Sequence, residues 1–342
     1  LGLIAALYNK KLQKPLLFTI VLIILGNINL HGFLFSLTFF MFFFTDYIRY
    51  RKKTNKKIKL RYLFSLFFFL TNIVFVVFQI LPAEDISFSA DGFTFRINKF
   101  LNLNYEIFGE LFTDIKFISY IILGISLFWF WRKKQLLLYL TLNIPVMILF
   151  SIYFNIWHQG VLILIWIFTL WISANSNSDR LKNKINLQKG SRVLIAVAIF
   201  TTLCFHIYWS VIVSVNDYQY DYSAGKKIAG YIKENQLEKQ FVYATHFWAI
   251  SALPYFEKNI YSTPDYDPGK AYWIWKKDND YSEHPDEIIK KRPDLIIFSR
   301  PKMFWYPDSI ADYKQVKIGH GKVFWKDTIK EINDYRIFRK VN

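Results

Sequence analysis

The sequence predicts an α-helical polytopic membrane protein that carries a small α/β domain, Rossmann-like in pattern, outside the membrane at its C-terminus. Two observations predict it. Long Phe/Leu/Ile-rich runs alternate with short Lys/Arg-rich loops, and after about residue 214 the chain turns polar. Runs such as residues 60–81 and 193–213 can cross about 30 Å of hydrocarbon as helices. Composition agrees, because 53% of residues are hydrophobic and 20% aromatic, too apolar for an ordinary soluble chain. Residues 1–214 are therefore expected to form a transmembrane helical domain, with residues 215–342 an external α/β domain.

The formal net charge of +17 raises the question of nucleic acid, and its distribution answers it. From Asn216 onward the chain holds 21 basic against 18 acidic residues, so most of the excess lies in loops between apolar runs. Basic loops beside spans follow the positive-inside rule, whereas a nucleic-acid site needs one continuous basic face. The expected partner is the lipid bilayer, not nucleic acid. The single cysteine, Cys204, lies inside an apolar run and excludes an intramolecular disulfide. The chain opens Leu1-Gly2-Leu3 partway through an apolar stretch with no signal-peptide pattern, so it is read as the C-terminal part of a longer protein.

Four basic clusters set the topology. They are Lys10, Lys11 and Lys14; the loop from Arg49 to Arg61; Arg132-Lys133-Lys134; and the group from Arg180 to Arg192. If all four are cytoplasmic, the chain crosses an even number of times between each pair. Residues 15–48 make the first hairpin, 60–81 with 115–131 the second, and 136–153 with 160–174 the third. Residues 193–213 then cross once and deliver the tail outside, giving about seven spans. The first two are short or broken, since residues 15–48 are fewer than the roughly 40 that two full crossings take. Their centre, Gly26-Asn27-Ile28-Asn29-Leu30-His31-Gly32, is polar. Two readings stay open: a short external turn capped by Asn side chains, or a broken helix pair lining a polar cavity.

The external segments carry the candidate chemistry. Glu84 and Asp85 follow a span directly; such carboxylates can hold a divalent metal, orient sugar hydroxyls, act as a base, or simply be solvated loop charges. Residues 98–111 have the spacing of an interfacial helix lying on the bilayer. His158, beside Trp157 in the next external turn, suits an aromatic belt, contact with a phosphate or a proton shuttle. His206 lies within the last span, where an interhelical hydrogen bond is its ordinary use. Ionisable residues inside the spans are otherwise few, which weakens a transporter reading.

The tail alternates helix and strand. Residues 223–232 have helical spacing, 241–244 read as a buried strand, 286–291 as a short helix and 294–298 as a second strand. Residues 315–318, 322–325 and 335–338 complete a sheet that is at least partly parallel. No P-loop, GxGxxG, zinc spacing or GxSxG elbow is present. Tyr255, Tyr266 and Trp273 lie among acidic residues, the mixture with which a sugar-binding surface stacks and accepts hydroxyl hydrogen bonds; a membrane-resting domain uses the same mixture.

Three stretches, together with the tail, resemble the C-terminal part of a bacterial membrane glycosyltransferase of the GT-C type. They are the hairpin centre Asn27-Ile28-Asn29-Leu30-His31-Gly32-Phe33, the segment Pro82-Ala83-Glu84-Asp85, and Trp157-His158-Gln159-Gly160 running into an aromatic-rich span. Tyr222-Ser223-Ala224-Gly225-Lys226-Lys227-Ile228-Ala229, followed by Leu253-Pro254-Tyr255-Phe256, is similar to the soluble domain of such enzymes. The resemblance implies a bacterial inner-membrane protein whose tail is external. It implies transfer of a sugar from a polyprenyl-phosphate carrier to a glycan or lipid acceptor on the outer side. It also implies a catalytic carboxylate in an N-terminal external loop that does not occur in this chain, so no catalytic residue is assigned and this chain alone is expected to be inactive. Glu84, Asp85, His158, Asn29 and His31 would line the substrate cavity. The competing expectation is a non-catalytic protein of envelope polysaccharide assembly or export whose tail binds glycan or a partner.

Overall fold

The computed structural model describes residues 1–55, 59–80, 97–152, 158–176, 185–245, 247–262, 285–300, 310, 312–325 and 328–341. These fall into two compact units, one of residues up to Ile207 and the other from Tyr208 onward. The first is helical throughout: α1 (Gly2–Tyr8), α2 (Pro15–Gly26), α3 (Leu30–Thr54), α4 (Leu60–Ile80), α5 (Ile97–Gly109), α6 (Lys116–Arg132), α7 (Leu136–Ile152), α8 (Gln159–Ala174) and the start of α9 (Ile185–Gln219).

Among the described residues three helices are long and apolar enough to cross a membrane: α3, α4 and α9. The other helices on expected spans are shorter, with 12 residues in α2, 17 in α6, 17 in α7 and 16 in α8. Their lengths of about 18–26 Å fall below the hydrocarbon thickness. Local sequence explains the stops. Pro15 opens α2 at its first position and Gly26-Asn27 closes it, while α6 runs out at Arg132 before the Lys133-Lys134 turn. Packing is aromatic: Phe40 stacks on Phe69 with centroids 3.9 Å apart, and Tyr47 on Tyr62 at 4.1 Å.

The segment expected to be an interfacial helix forms α5, which packs on its neighbours. Helix α5 packs against α6 and α7, with Ile107 and, just after the helix, Leu111 and Phe112 buried in the bundle, while Ile97, Leu101 and Tyr105 are exposed. The cause is anchorage at its end. Tyr120 donates to the Tyr105 carbonyl at 2.7 Å, and the Phe112 N–H donates to Ser119 Oγ at 3.0 Å.

The second unit holds a four-stranded sheet of β1 (Val242–Thr245), β2 (Leu295–Arg300), β3 (Tyr313–Trp325) and β4 (Thr328–Lys340), in the order β1-β2-β4-β3. Helix α10 (Gly225–Glu234) and a 3-10 segment, Phe247–Tyr255, pack on one face, burying Ile228, Ile232, Val242, Ala244, Leu295, Ile297 and Ile337. Helix α11 (Pro285–Lys290) lies on the other with Tyr243, Ile296, Phe298 and Phe338. Strict alternation along β1 and β2 divides these two sets.

The Rossmann-like expectation holds only for the parallel β1–β2 pair. Strand β4 runs antiparallel to β2 and closes a hairpin with β3, so the sheet is mixed. The hairpin follows from chain length, because the two residues between Trp325 and Thr328 are too few for a parallel crossover. Residues 315–318 and 322–325, expected as two strands, form one strand whose register shifts at Gln315/Lys317 and Gly321/Lys322.

Candidate functional site

Two helical hairpins of the first unit bring their tips together, and the depth of the first follows from its packing. Helices α2 and α4 begin level, since the Tyr62 hydroxyl donates to the Leu12 carbonyl at 2.6 Å and Arg61 to Gln13 at 3.4 Å. From that level the 12 residues of α2 rise about 18 Å. Residue Asn72 lies at the same rise along α4, and Asn27 Nδ2 donates to Asn72 Oδ1 at 2.7 Å. Helix α4 then continues to Ile80, about 12 Å further. The α2–α3 tip therefore ends part-way along α4.

The turn is held as its sequence suggests. Asn27 also donates to the Ile23 carbonyl at 2.8 Å, and Asn29 caps α3 by accepting from the Gly32 N–H at 2.8 Å. Gly32 is required here. A Cβ at this position would fall 2.3 Å from the Leu25 carbonyl oxygen, so only glycine lets α3 start this close to α2. Of the two readings left open by the sequence, the Asn caps are present and the tip is also recessed.

The second tip belongs to α7 and α8. Helix α7 packs antiparallel on α3, with Thr38 Oγ1 donating to the Thr141 carbonyl at 3.3 Å and Phe150 meeting His31 at 5.8 Å. His158 is the N-cap residue of α8. Its ring centroid lies 5.4 Å from that of His31 and 5.7 Å from that of Phe150. Next to it, Gln159 Nε2 donates to the Ile107 carbonyl at 3.0 Å and ties α5 to the same place. Thus His31 and His158, separated by more than a hundred residues in sequence, become neighbours.

Both imidazoles stand at helix beginnings, His31 as the second residue of α3 and His158 just before α8. The first N–H groups of a helix lack intrahelical partners and carry partial positive charge. Two polar atoms of this region, His31 Nε2 and Asn72 Nδ2, are buried without a hydrogen-bond partner in the protein. Hydrogen-bond donors and helix N-termini together favour an anion such as a phosphate. None of the described residues forming this cluster is a carboxylate, and among the described residues no group of three or more His, Cys, Asp or Glu is placed to hold a metal ion.

Other residues singled out in the sequence fare differently. Glu84, Asp85, Tyr266 and Trp273 lie outside the described residues. Tyr255 ends the 3-10 segment and is 44% exposed. Beside it opens a groove of about 640 Å³ lined by Lys233, Glu238, Lys239, Phe256, Glu257 and Lys258, of which the sequence reading had marked only Phe256. Asn72 and Phe150 were also missed. An amide in the middle of the apolar run 60–81, well inside its other amide Gln79, was a usable signal for the first, whereas nothing distinguishes Phe150 from its neighbours. Asp46 pairs with Lys11 at 3.0 Å near the basic end of α3, a structural role far from the tips. Comparison with models of protein families, with curated proteins and with solved structures finds no match to this chain.

Proposed function

We propose that the chain spans a bacterial inner membrane and handles a polyprenyl-phosphate-linked sugar, as part of a GT-C-type glycosyltransferase whose C-terminal unit is external. The convergence of His31 and His158, with ring centroids 5.4 Å apart at two helix N-termini, carries this reading. In it the imidazole N–H groups and the helix ends hold the phosphate of the carrier. The exposed apolar face of α4, with Phe67, Leu70, Val74 and Phe78, offers the lipid tail a path. Transfer breaks the bond between the anomeric carbon and the phosphate oxygen while the acceptor hydroxyl oxygen bonds to that carbon. Negative charge then builds on the departing phosphate, where preoriented donors act most strongly. The acceptor proton has to pass to a carboxylate outside the cluster, and the resemblance puts that base in an N-terminal external loop.

The test uses the full-length protein in lipid nanodiscs with a photoreactive polyprenyl phosphate and a glycan-transfer assay. His31→Ala and His158→Ala are each expected to weaken labelling about tenfold, equivalent to about 1.4 kcal/mol. Unchanged labelling in both variants overturns the assignment. Labelling lost in the variants of a protein that transfers no sugar would favour the non-catalytic envelope-polysaccharide reading instead.

A further inference from the structure

The groove beside Tyr255 belongs wholly to the C-terminal unit, and two stretches of chain wall it. The first runs from the end of α10 to Gln240. Ile228 and Ile232 of α10 enter the core, which leaves Lys233 exposed. Gln236 takes a left-handed backbone, φ 54°, and after it Leu237 is buried while Glu238 and Lys239 stay exposed. The second wall is residues 256–262, held along β1. Tyr261 bridges Val242 in parallel, and the Ser262 N–H donates to the Val242 carbonyl at 2.8 Å. Asn259 Oδ1 accepts from the Tyr261 N–H at 2.8 Å and fixes the bend that follows the exposed Glu257 and Lys258. The enclosed volume of about 640 Å³ is within the range of about 300–1,000 Å³ typical of small-molecule sites.

Three features of the lining each ask for a ligand group. The first is charge. Glu238 balances its neighbour Lys239 and Glu257 balances Lys258, so Lys233 is the surplus cation. None of these lysines forms an ion pair among the described residues. A surplus ammonium favours an anion. The second is a ring. Phe256 rests half-buried on the core, and Lys233 Nζ lies 5.4 Å from its centroid. An aromatic side chain at a groove offers a surface on which C–H groups pack. The third is an acceptor. Gln240 lines the same groove, and its Oε1 is buried with no hydrogen-bond partner in the protein. A buried acceptor calls for a donor.

One ligand class answers all three. We propose that the groove binds an acidic saccharide, a uronic-acid type of ring. Its carboxylate meets Lys233, its C–H groups pack on Phe256, and a hydroxyl donates to Gln240 Oε1. A neutral sugar leaves Lys233 unanswered, and an acidic peptide answers the charge without a ring of hydroxyls. This is a second site, apart from the hairpin tips, and it stands on the described residues of the C-terminal unit alone.

The test compares two disaccharides that differ by a single carboxylate, cellobiouronic acid and cellobiose. Binding to the full chain in nanodiscs of zwitterionic phospholipid is followed by saturation-transfer NMR, with N-acetyl-glutamyl-glutamate as an acidic probe that lacks a sugar ring. The acid sugar is expected to bind about fivefold more tightly than cellobiose. Lys233→Gln, at an exposed position, should bring the two within about twofold of each other and leave cellobiose binding unchanged. Phe256→Leu keeps an apolar side chain on the core, removes the ring and should weaken both sugars; if it lowers the unfolding midpoint, Lys233→Gln decides alone. Binding of neither sugar, equal binding of both, or a preference that survives Lys233→Gln overturns the proposal. The peptide binding as tightly as the acid sugar overturns it in favour of an acidic protein segment. The readout is binding of a free sugar without transfer, so its failure is separate from any failure of the phosphate cluster in the first unit.

Discussion

The polar groups buried at the hairpin tips and the hydroxyl network buried around Tyr335 in the C-terminal unit obey different rules. In the C-terminal unit Tyr335 is fully buried, and its hydroxyl is hydrogen-bonded to Ser251. Ser223 donates to Ser251 at 2.8 Å and accepts from the Gly225 N–H at 3.1 Å. Tyr261 donates to Ala249 at 2.9 Å, and Tyr313 to Pro293 at 2.6 Å. Each hydroxyl has its partner, and the network joins α10, the 3-10 segment and β4. At the hairpin tips, by contrast, His31 Nε2 and Asn72 Nδ2 are buried with no partner in the protein. A satisfied network fixes architecture, whereas unpaired buried donors cost stability and persist where another purpose keeps them. Around Tyr335 the polar groups serve the packing of the fold, whereas the unpaired groups at the tips are where the proposed ligand would find its partners.

The strongest way to break this comparison is to fill the space that lets the first tip form. Gly32→Ala would set a Cβ 2.3 Å from the Leu25 carbonyl, a backbone atom that cannot swing aside. The expected loss is about 3 kcal/mol, the upper part of the overpacking range, read as a lowered unfolding midpoint in detergent. Both hairpins should loosen together, because His31 and His158 share one contact. A midpoint equal to that of the unaltered protein would mean that the tip is not tightly packed.

The C-terminal network is best probed with base. Burial pushes the Tyr335 hydroxyl from its usual value of 10.0 up to about 12, so the folded unit holds this proton in a range where the unfolded chain has lost it. The group therefore costs no stability below pH 10, and stability falls as pH rises from there toward 12. Two units of difference correspond to about 2–3 kcal/mol at the high end. Limited proteolysis of the tail across this range should show accelerating cleavage, and Tyr335→Phe should flatten the added pH dependence. Equal slopes in both proteins would remove Tyr335 from the account.

How far the sequence reveals this architecture depends on the range of the interaction. The helix ends of the first unit were legible, because Pro15, Gly26-Asn27 and Arg132-Lys133-Lys134 stop helices locally. Strands β1 and β2 were legible from their apolar runs. The mixed sheet was less so, because the pattern that marks β4 as a strand does not state which neighbour it pairs with. His31 and His158 were each visible as polar residues beside apolar runs, yet their meeting is a tertiary fact. Asn72 passed unnoticed within a run whose apolar character dominated its window.

Asn72 also offers the smallest and most discriminating test. Its Oδ1 accepts from Asn27, which keeps a second bond to the Ile23 carbonyl, while its own Nδ2 has no partner. Replacing it with leucine removes one hydrogen bond and one unpaired donor at once. Interhelical hydrogen bonds of this kind contribute about 0.6 kcal/mol on average, so Asn72→Leu should move stability by less than about 1 kcal/mol in either direction. If the tip serves a polar ligand, photolabelling by polyprenyl phosphate should nevertheless fall several-fold. A residue that matters to binding and hardly to folding marks a site, and one that matters only to folding marks a scaffold. Loss of stability without loss of labelling would place Asn72 with Ser251 and Tyr335, and would dissolve the contrast between the two units.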